Sequence, residues 1–322
     1  MAAKQLQLGL ALSAGGAPAM AEIGAIHELV AAGIPFDVVA GTSAGAMVGA
    51  AYAAGRLPEF AATMRTLTRR RVLSLFDPTW PRAGLLEGRR AMDLIRPHVG
   101  TTFETLLRPF AAVAADLRSG DEVVFTSGDV VDAIRASIAI PGVFTPKIIG
   151  DAVLVDGGIV NPLPVSAARA LGADFVVAVS VLTWSGERTV RARATPTRPL
   201  LARLLARAGA RRAAARAISR HRAAAREKEE TLGLIEVILD ATRIVERRIV
   251  AARLKEEPPD FLLEIALPRI GLFDFQLSAE VIEIGREAAR AALPDLRRAL
   301  TQSNPSFVRR WARWRRRLPK AV

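Results

Sequence analysis

A serine between two glycines stands where a β-branched stretch gives way to an alanine-rich one. Residues Gly41 to Gly45 read G-T-S-A-G, which matches the G-x-S-x-G pattern of a nucleophile on a sharp strand-to-helix turn. Ser43 can stand clear of the backbone in such a turn only if the residues two positions away carry almost no side chain. The start of the following helix would favour negative charge on its oxygen. The pattern predicts a nucleophile; the alternative is a glycine-rich packing turn.

The histidine and cysteine content of the chain argues against metal sites, cysteine nucleophiles and a histidine base. The chain has no cysteine, so it has no disulfide, thiolate metal site or cysteine nucleophile. Its three histidines, His27, His98 and His221, are widely scattered and show no metal-ligand spacing. None of them is placed like the late histidine of a Ser-acid-His triad. We therefore expect neither a metal nor a histidine base.

A carboxylate can replace histidine as the base if it lies within hydrogen-bond reach of the hydroxyl. Asp156 is the best candidate, because it ends an apolar strand and precedes Gly157 and Gly158. Two glycines at this point would let other backbone or a substrate approach closely. The alternative is an aspartate that caps a turn before Gly-Gly.

A glycine-containing loop follows the first apolar stretch and could stabilise an oxyanion. The backbone N–H groups of Gly15, Gly16 and Ala17 are freed by small side chains, and they could hold the oxygen of a tetrahedral intermediate. A phosphate-binding loop and a plain turn are the alternatives. A lysine-bearing P-loop is excluded, because no G-K-[ST] follows.

The order of apolar stretches and helix-prone segments predicts an α/β fold: a mostly parallel central sheet, covered by helices, with right-handed crossovers. In such a sheet, reactive residues gather outside the carboxyl ends of the strands, where we expect Ser43 and Asp156 to meet. Strands are predicted over residues 5–13, 34–41, 110–117, 121–128, 152–158, 174–181 and 260–268. Helices are predicted over residues 19–32, 44–54, 236–254 and 278–293.

These elements predict one domain over residues 4–300, with a basic, helix-prone insertion at about 185–230 and a basic tail over 303–322. The apolar N-terminus resembles a secretory signal, but the alternation of Gln and Leu within residues 5–8 favours a buried strand. No stretch is long and apolar enough for a predicted transmembrane helix. We expect a cytoplasmic protein that attaches peripherally to the inner face of the membrane.

The net charge of +13 is concentrated in two segments. Twelve arginines and no acidic residue lie between Arg188 and Arg226, and residues 309–320 add seven basic side chains around two tryptophans. The rest of the chain is therefore mildly acidic. Leucines at helical spacing among the arginines of segment 188–228, and the two tryptophans among those of tail 309–320, indicate that both bind an anionic membrane surface. The alternatives are a solvated, disordered arginine run and nucleic-acid binding, and no nucleic-acid motif accompanies the charge.

Four motifs together resemble the patatin-like phospholipases, in the bacterial branch related to neuropathy target esterase. They are the glycine loop, G-T-S-A-G, the stretch A-S-I-A-I-P-G-V-F-T-P at residues 136–146, and D-G-G. The resemblance covers about residues 5–185 and resumes at about 230–297. It implies a three-layer α/β sandwich, a Ser–Asp dyad of Ser43 and Asp156, and an oxyanion hole in the Gly15–Gly16 loop. It also implies hydrolysis of acyl esters of lipids or lysophospholipids without a metal or cofactor.

The glycine loop departs from the family pattern, which usually runs G-G-x-R-G where this chain has Gly15-Gly16-Ala17-Pro18-Ala19. Pro18 stands where the family usually has arginine, and Glu22 stands where it commonly has histidine. Proline supplies no N–H, although it is well tolerated as the first residue of a helix. A second function therefore stays open beside the esterase: a catalytically weak or inactive lipid-binding or scaffold protein on the same fold.

Overall fold

The computed structural model describes residues 6–79, 84–182, 234–268 and 270–303. Segment 188–228, tail 309–320 and His221 lie outside the described residues. The strands are β1 (Leu8–Leu12), β2 (Val38–Thr42), β3 (Phe110–Asp116), β4 (Glu122–Phe125), β5 (Lys147–Ile149), β6 (Ala152–Asp156), β7 (Phe175–Ser180) and β8 (Phe261–Glu264). The helices are α1 (Met20–Ala31), α2 (Ala44–Ala53), α3 (Leu57–Arg65), α4 (Arg69–Ser74), α5 (Arg89–Val99), α6 (Val130–Ser137), α7 (Val165–Ala170), α8 (Leu234–Glu256) and α9 (Ser278–Ser303).

The strands form one sheet in which neighbours along the path β5-β6-β3-β2-β1-β7-β8 are hydrogen-bonded, and β4 also pairs with β3. The five strands from β3 to β8 in this order are mutually parallel, and β4, β5 and β6 pair antiparallel. The predicted α/β architecture with a mostly parallel sheet is confirmed.

Two strands lie one after the other along the same edge of β3. The opposite edge pairs with β4 over residues 112–115, so β2, opposite residues 110–113, and β6, opposite 114–116, must share the remaining edge. Because β2 runs parallel and β6 antiparallel to β3, their carboxyl ends face each other. Thr42 lies opposite Val113 and Asp156 opposite Ala114. The sequence pattern suggested two parallel strands ending side by side; the antiparallel β6 brings the two ends together head-on.

Alternating side chains of the central strands bury both faces of the sheet. Leu8, Leu10 and Leu12 of β1 join the cluster formed with α1, α2 and α9, whereas Ala11 joins the cluster formed with α7 and α8. The result is three layers, with helices on each side of the sheet. Within the described residues, no helix has both the length and the apolar composition that a membrane crossing requires.

Helices α1 and α9 cross at two glycines. A side chain at Gly24 would overlap the carbonyl oxygen of Ile282, and one at Gly285 would overlap that of Ala21. Helix α9 also continues ten residues beyond its predicted end at Leu293, through Pro294. Burial of its last turns, including Leu296 and Leu300, offsets the lost proline hydrogen bond.

Candidate active site

Ser43 forms the turn between β2 and α2. Its backbone angles are φ 56° and ψ −124°, and it is the one non-glycine residue with positive φ in the described part of the chain. A side chain at Gly45 would begin 2.5 Å from the carbonyl oxygen of Ser13, and one at Gly41 would overlap the carbonyl of Gly45. The glycines of the motif thus let α2 start against the end of β1. This packing holds Ser43 in a strained conformation.

The hydroxyl of Ser43 and the carboxylate of Asp156 are in direct contact. Ser43 Oγ donates to Asp156 Oδ2 at 2.6 Å, and the N–H of Gly158 donates to Asp156 Oδ1 at 2.8 Å. Burial raises the pKa of Asp156 to about 7, although the hydrogen bonds from Ser43 and Gly158 oppose the shift. A carboxylate with a pKa near neutrality can both accept and return a proton at physiological pH.

The last residue of α6 and the segment that follows it hold both sides of this pair. The Ser43 N–H donates to Ser137 Oγ at 2.8 Å, and the Ser137 hydroxyl donates to the carbonyl of Val113 at 2.5 Å. The Asp156 N–H donates to the Ala139 carbonyl at 2.9 Å. Sequence reasoning gave Ser137 no role. The available signal was its place in the A-S-I-A-I-P-G stretch.

The glycine loop lies across the cleft from Asp156. Gly15 and Gly16 line the cleft, and their N–H groups make no hydrogen bond to any described residue. Gly16 has φ 62°, and a side chain there would begin 2.5 Å from the carbonyl oxygen of Leu272. The Ala17 N–H donates to that same carbonyl at 2.8 Å. Ala17 was expected to be a third oxyanion donor, but its amide is occupied by this bond, so the loop offers two free donors.

Pro18 and Glu22 occupy defined positions behind the loop. Pro18 lies within the short 3-10 turn Ala17–Ala19 that precedes α1. Glu22 is fully buried, and its Oε1 accepts the Ser13 N–H at 2.9 Å and the Ser13 hydroxyl at 3.1 Å. Burial raises the pKa of Glu22 well above its usual value. The residue that replaces the family histidine therefore anchors the start of the loop.

The two described histidines do not line the cleft. His27 is exposed on α1, whereas His98 lies 3.1 Å from Thr63 Oγ1 and packs against the ring of Phe60. Within the described ranges, no three His, Cys, Asp or Glu side chains are grouped as they would be around a metal ion.

Helix α8 covers the dyad. The cleft has an empty volume of about 350 Å³, including the part open to solvent. Part of its lining is apolar and includes Leu239 of α8, and the same helix also contributes the three polar residues Thr242, Arg243 and Glu246. Sequence reasoning missed all three, because α8 is an ordinary amphipathic helix more than 75 residues after Asp156. The full lining comprises Gly15, Gly16, Ser43, Ile140, Pro141, Asp156, Ile159, Leu239, Thr242, Arg243, Glu246 and Leu272.

The two glycines after Asp156 each admit a close neighbour. A side chain at Gly157 would overlap the carbonyl of Val113, and one at Gly158 would begin 2.5 Å from Glu246 Oε1. Burial and the nearby Asp156 raise the pKa of Glu246 to about 8, opposed by Arg243 and Arg247. Two buried carboxyl groups, one from β6 and one from α8, thus lie beside Gly158.

Comparison with known proteins shows which family the chain belongs to. The model of the patatin-like phospholipase family matches residues 10–169. An uncharacterized NTE family protein of Mycobacterium tuberculosis is 34% identical over 89% of this chain and 91% of its own length. The chain belongs to the patatin-like phospholipase family, in its NTE branch. The match in this patatin-like chain includes the glycine loop, Ser43 and Asp156, and it ends before α8.

Two further relatives are longer than the region they share with this patatin-like protein. A second uncharacterized NTE family protein of Mycobacterium tuberculosis is 33% identical over 94% of this chain but 48% of its own length. Lysophospholipase NTE1 of Phaeosphaeria nodorum is 31% identical over 54% of this chain and 12% of its own length.

Proposed function

We propose that this protein is a serine esterase that hydrolyses fatty-acyl esters of lysophospholipids or related lipids through a dyad of Ser43 and Asp156. The observation that carries the proposal is the 2.6 Å hydrogen bond from Ser43 Oγ to Asp156 Oδ2 in a buried cleft. Family membership supports hydrolysis of lipid esters in general. The fungal relative's name, lysophospholipase, suggests the narrower substrate class.

The mechanism follows from the positions of these groups. Ser43 Oγ attacks the acyl carbonyl carbon while Asp156 accepts its proton. The N–H groups of Gly15 and Gly16 hold the oxygen that becomes negatively charged. When the tetrahedral intermediate collapses, the ester C–O bond breaks and Asp156 returns the proton to the leaving alcohol. Asp156 then takes a proton from water, whose oxygen attacks the carbonyl carbon of the acyl-enzyme. When the bond between this carbon and Ser43 Oγ breaks, Asp156 returns the proton to Ser43 Oγ and the fatty acid is released.

The apolar wall of the cleft suits an acyl chain. Ile140, Leu239 and Leu272 line it and belong to a cluster that also contains Phe144 and Phe273. Burying each methylene of a chain against such a wall contributes about 0.8 kcal/mol. Esters with a long acyl chain should therefore be preferred over acetyl esters.

Hydrolysis of medium-chain nitrophenyl esters tests the proposal. We expect the wild-type chain to hydrolyse them and Ser43→Ala to be reduced to background, because the variant lacks the hydroxyl that forms the acyl-enzyme. Ser74→Ala, at an exposed serine on α4, serves as the matched control and should retain the wild-type rate. Equal rates for wild type and Ser43→Ala would remove Ser43 from the mechanism.

The occupied Ala17 amide favours one competing function. With Pro18 lacking an N–H and Ala17 bonded to Leu272, only two loop donors remain, and each such donor is worth about two to three orders of magnitude in rate. The competing protein binds acyl lipids without turning them over. Its signature is retention of a fluorescent lipid by the wild-type chain, with ester hydrolysis equal to that of Ser43→Ala.

We further propose that segment 188–228 and tail 309–320 hold the enzyme on an anionic membrane surface at the cytoplasmic face. Their arginines support this, since each basic residue near such a surface contributes about 1 kcal/mol. Sedimentation with anionic vesicles, compared with zwitterionic ones, tests it. Deletion of residues 188–228 should reduce the bound fraction on anionic vesicles; equal binding by both chains would refute this role.

A further inference from the structure

Glu246 places a second buried carboxyl group beside the dyad. The point where a side chain at Gly158 would begin lies 2.5 Å from Glu246 Oε1 and 3.2 Å from Asp156 Oδ1. Glu246 is 7% exposed, and it lines the same cleft as Ser43. Its Oε2 has no hydrogen-bond partner among the described residues. A buried carboxyl oxygen without a partner is costly, so a polar group of a ligand that satisfied it would bind favourably.

The other polar groups that α8 turns toward the cleft already make hydrogen bonds. Thr242 Oγ1 donates to the carbonyl of Ile238 at 2.9 Å. The guanidinium of Arg243 donates to the carbonyl of Ile270 at 3.0 Å. The oxygen of Glu246 that has no partner thus marks a place on this wall where a ligand's hydrogen-bonding group fits.

The chemistry of ester cleavage decides which part of a substrate reaches this place. The leaving oxygen must lie next to Asp156, because Asp156 returns the proton to it. That oxygen joins the acyl carbonyl carbon to the alcohol portion of the ester, whose atoms lie on its far side. They therefore extend beyond Asp156 toward Glu246, while the acyl chain follows the apolar wall of Ile140 and Leu272.

We propose that Glu246 is a specificity-determining residue that hydrogen-bonds a hydroxyl group on the alcohol portion of the ester. The preferred substrate class is then a fatty-acyl ester of a polyol that keeps a free hydroxyl, rather than an ester of a simple alcohol. This inference rests on the proposed esterase function. With its pKa raised to about 8, the carboxyl group is protonated at neutral pH and offers both an O–H donor and an acceptor oxygen.

Two esters with the same acyl chain test the inference: 1-decanoylglycerol, which has free hydroxyls, and nitrophenyl decanoate, which has none. The readout is the ratio of the two kcat/KM values, glycerol ester over nitrophenyl ester. We expect Glu246→Leu to lower this ratio about tenfold, since one hydrogen bond to a hydroxyl is lost. Glu246→Gln keeps a donor and an acceptor of the same size, and it should keep the ratio within about threefold of wild type.

Glu256→Leu is the matched control, because Glu256 is an exposed glutamate on the same helix. It should leave the ratio unchanged. If Glu246→Leu lowers both kcat/KM values equally, Glu246 only supports the fold of the site and the inference is wrong. If the wild-type chain cleaves neither ester above the Ser43→Ala background, the proposed function fails, and the inference fails with it.

Discussion

The two walls of the cleft differ in how completely their polar atoms are satisfied. On the sheet side, the Ser43 hydroxyl and N–H and both oxygens of Asp156 have partners within 2.8 Å. On the helix side, Glu246 keeps an oxygen without a partner in the described part of the chain. We infer that the sheet positions the reacting groups before substrate binds, whereas the substrate supplies the missing hydrogen-bond partner on α8.

The two walls are also held by different kinds of contact. The register of β2 and β6 on β3 fixes Ser43 and Asp156 through backbone hydrogen bonds. Helix α8 is held through side chains. Arg253 forms a salt bridge with Glu122 at 3.0 Å, and Val250 packs into the hydrophobic cluster that contains Ala11 and α7. Changes on the sheet wall should therefore affect rate and pH dependence, and changes on α8 should affect selectivity.

The largest effect is expected on the sheet wall, from replacement of the general base Asp156. Asp156→Asn removes the proton acceptor while keeping an oxygen for the Gly158 N–H, and it should lower kcat for nitrophenyl esters by about three to four orders of magnitude. Steady-state kinetics measure this. Asp151→Asn, at an exposed aspartate just before β6, is the control and should behave as wild type. If Asp156→Asn retains more than a tenth of the activity, Asp156 is not the base.

The glycine loop gives the next effect. Gly16→Ala places a Cβ 2.5 Å from the Leu272 carbonyl at a positive φ, so the loop must shift and an oxyanion donor moves. We expect kcat to fall about a hundredfold with little change in KM. Gly120→Ala, also at positive φ but with open space around it, controls for backbone strain. Comparable losses in both variants would argue against the loop as the oxyanion site.

The base itself should set the pH profile. Asp156 must be ionised to act as a base, so kcat/KM should fall as the pH drops below about 7. Burial is what raises the pKa of Asp156, and Glu246, whose pKa is raised to about 8, is still largely uncharged while Asp156 titrates. Glu246→Gln should therefore leave the acid limb within about half a pH unit of wild type. An acid limb that moves by a full unit or more would show that a charged Glu246 raises the pKa of Asp156.

The smallest effect concerns stability. Asp156 has a folded-state pKa of about 7 against an ordinary 3.8. Its protonated form is thus favoured by folding, and this stabilisation, complete below pH 3.8, is lost as the pH rises through 7. Asp156→Asn cannot ionise, and at pH 8 it should raise the free energy of unfolding by about 1 to 2 kcal/mol. Thermal melts measure the difference, which should shrink toward pH 5; a variant less stable than wild type at pH 8 would contradict this account.

A structural feature could be predicted from the sequence when the residues that determine it lie close together along the chain. The turn at Ser43 was predictable because Gly41 and Gly45 act within five residues. The parallel sheet was predictable from alternating elements, and the family resemblance joined Ser43 to Asp156. The antiparallel course of β6 could not be predicted, because its pairing with β3 joins residues about 40 positions apart.

Longer-range features were missed for the same physical reason. The amide of Ala17 is taken by Leu272, and Glu246 reaches Gly158 across about 90 positions. Nothing in the local pattern around either residue indicates its partner. The continuation of α9 past Pro294 likewise depends on the buried positions of Leu296 and Leu300, which only the folded core defines.

The most direct test is whether Ser43 is chemically activated. A fluorophosphonate reacts covalently with a serine whose proton has an acceptor and whose adduct has oxyanion donors, so one reagent reports on the hydroxyl, the carboxylate and the glycine loop together. Mass spectrometry of the labelled wild-type chain should locate the adduct on Ser43, with no adduct in Ser43→Ala and much slower labelling in Asp156→Asn. A folded wild-type protein that stays unlabelled, or that is labelled at another residue, would contradict the account.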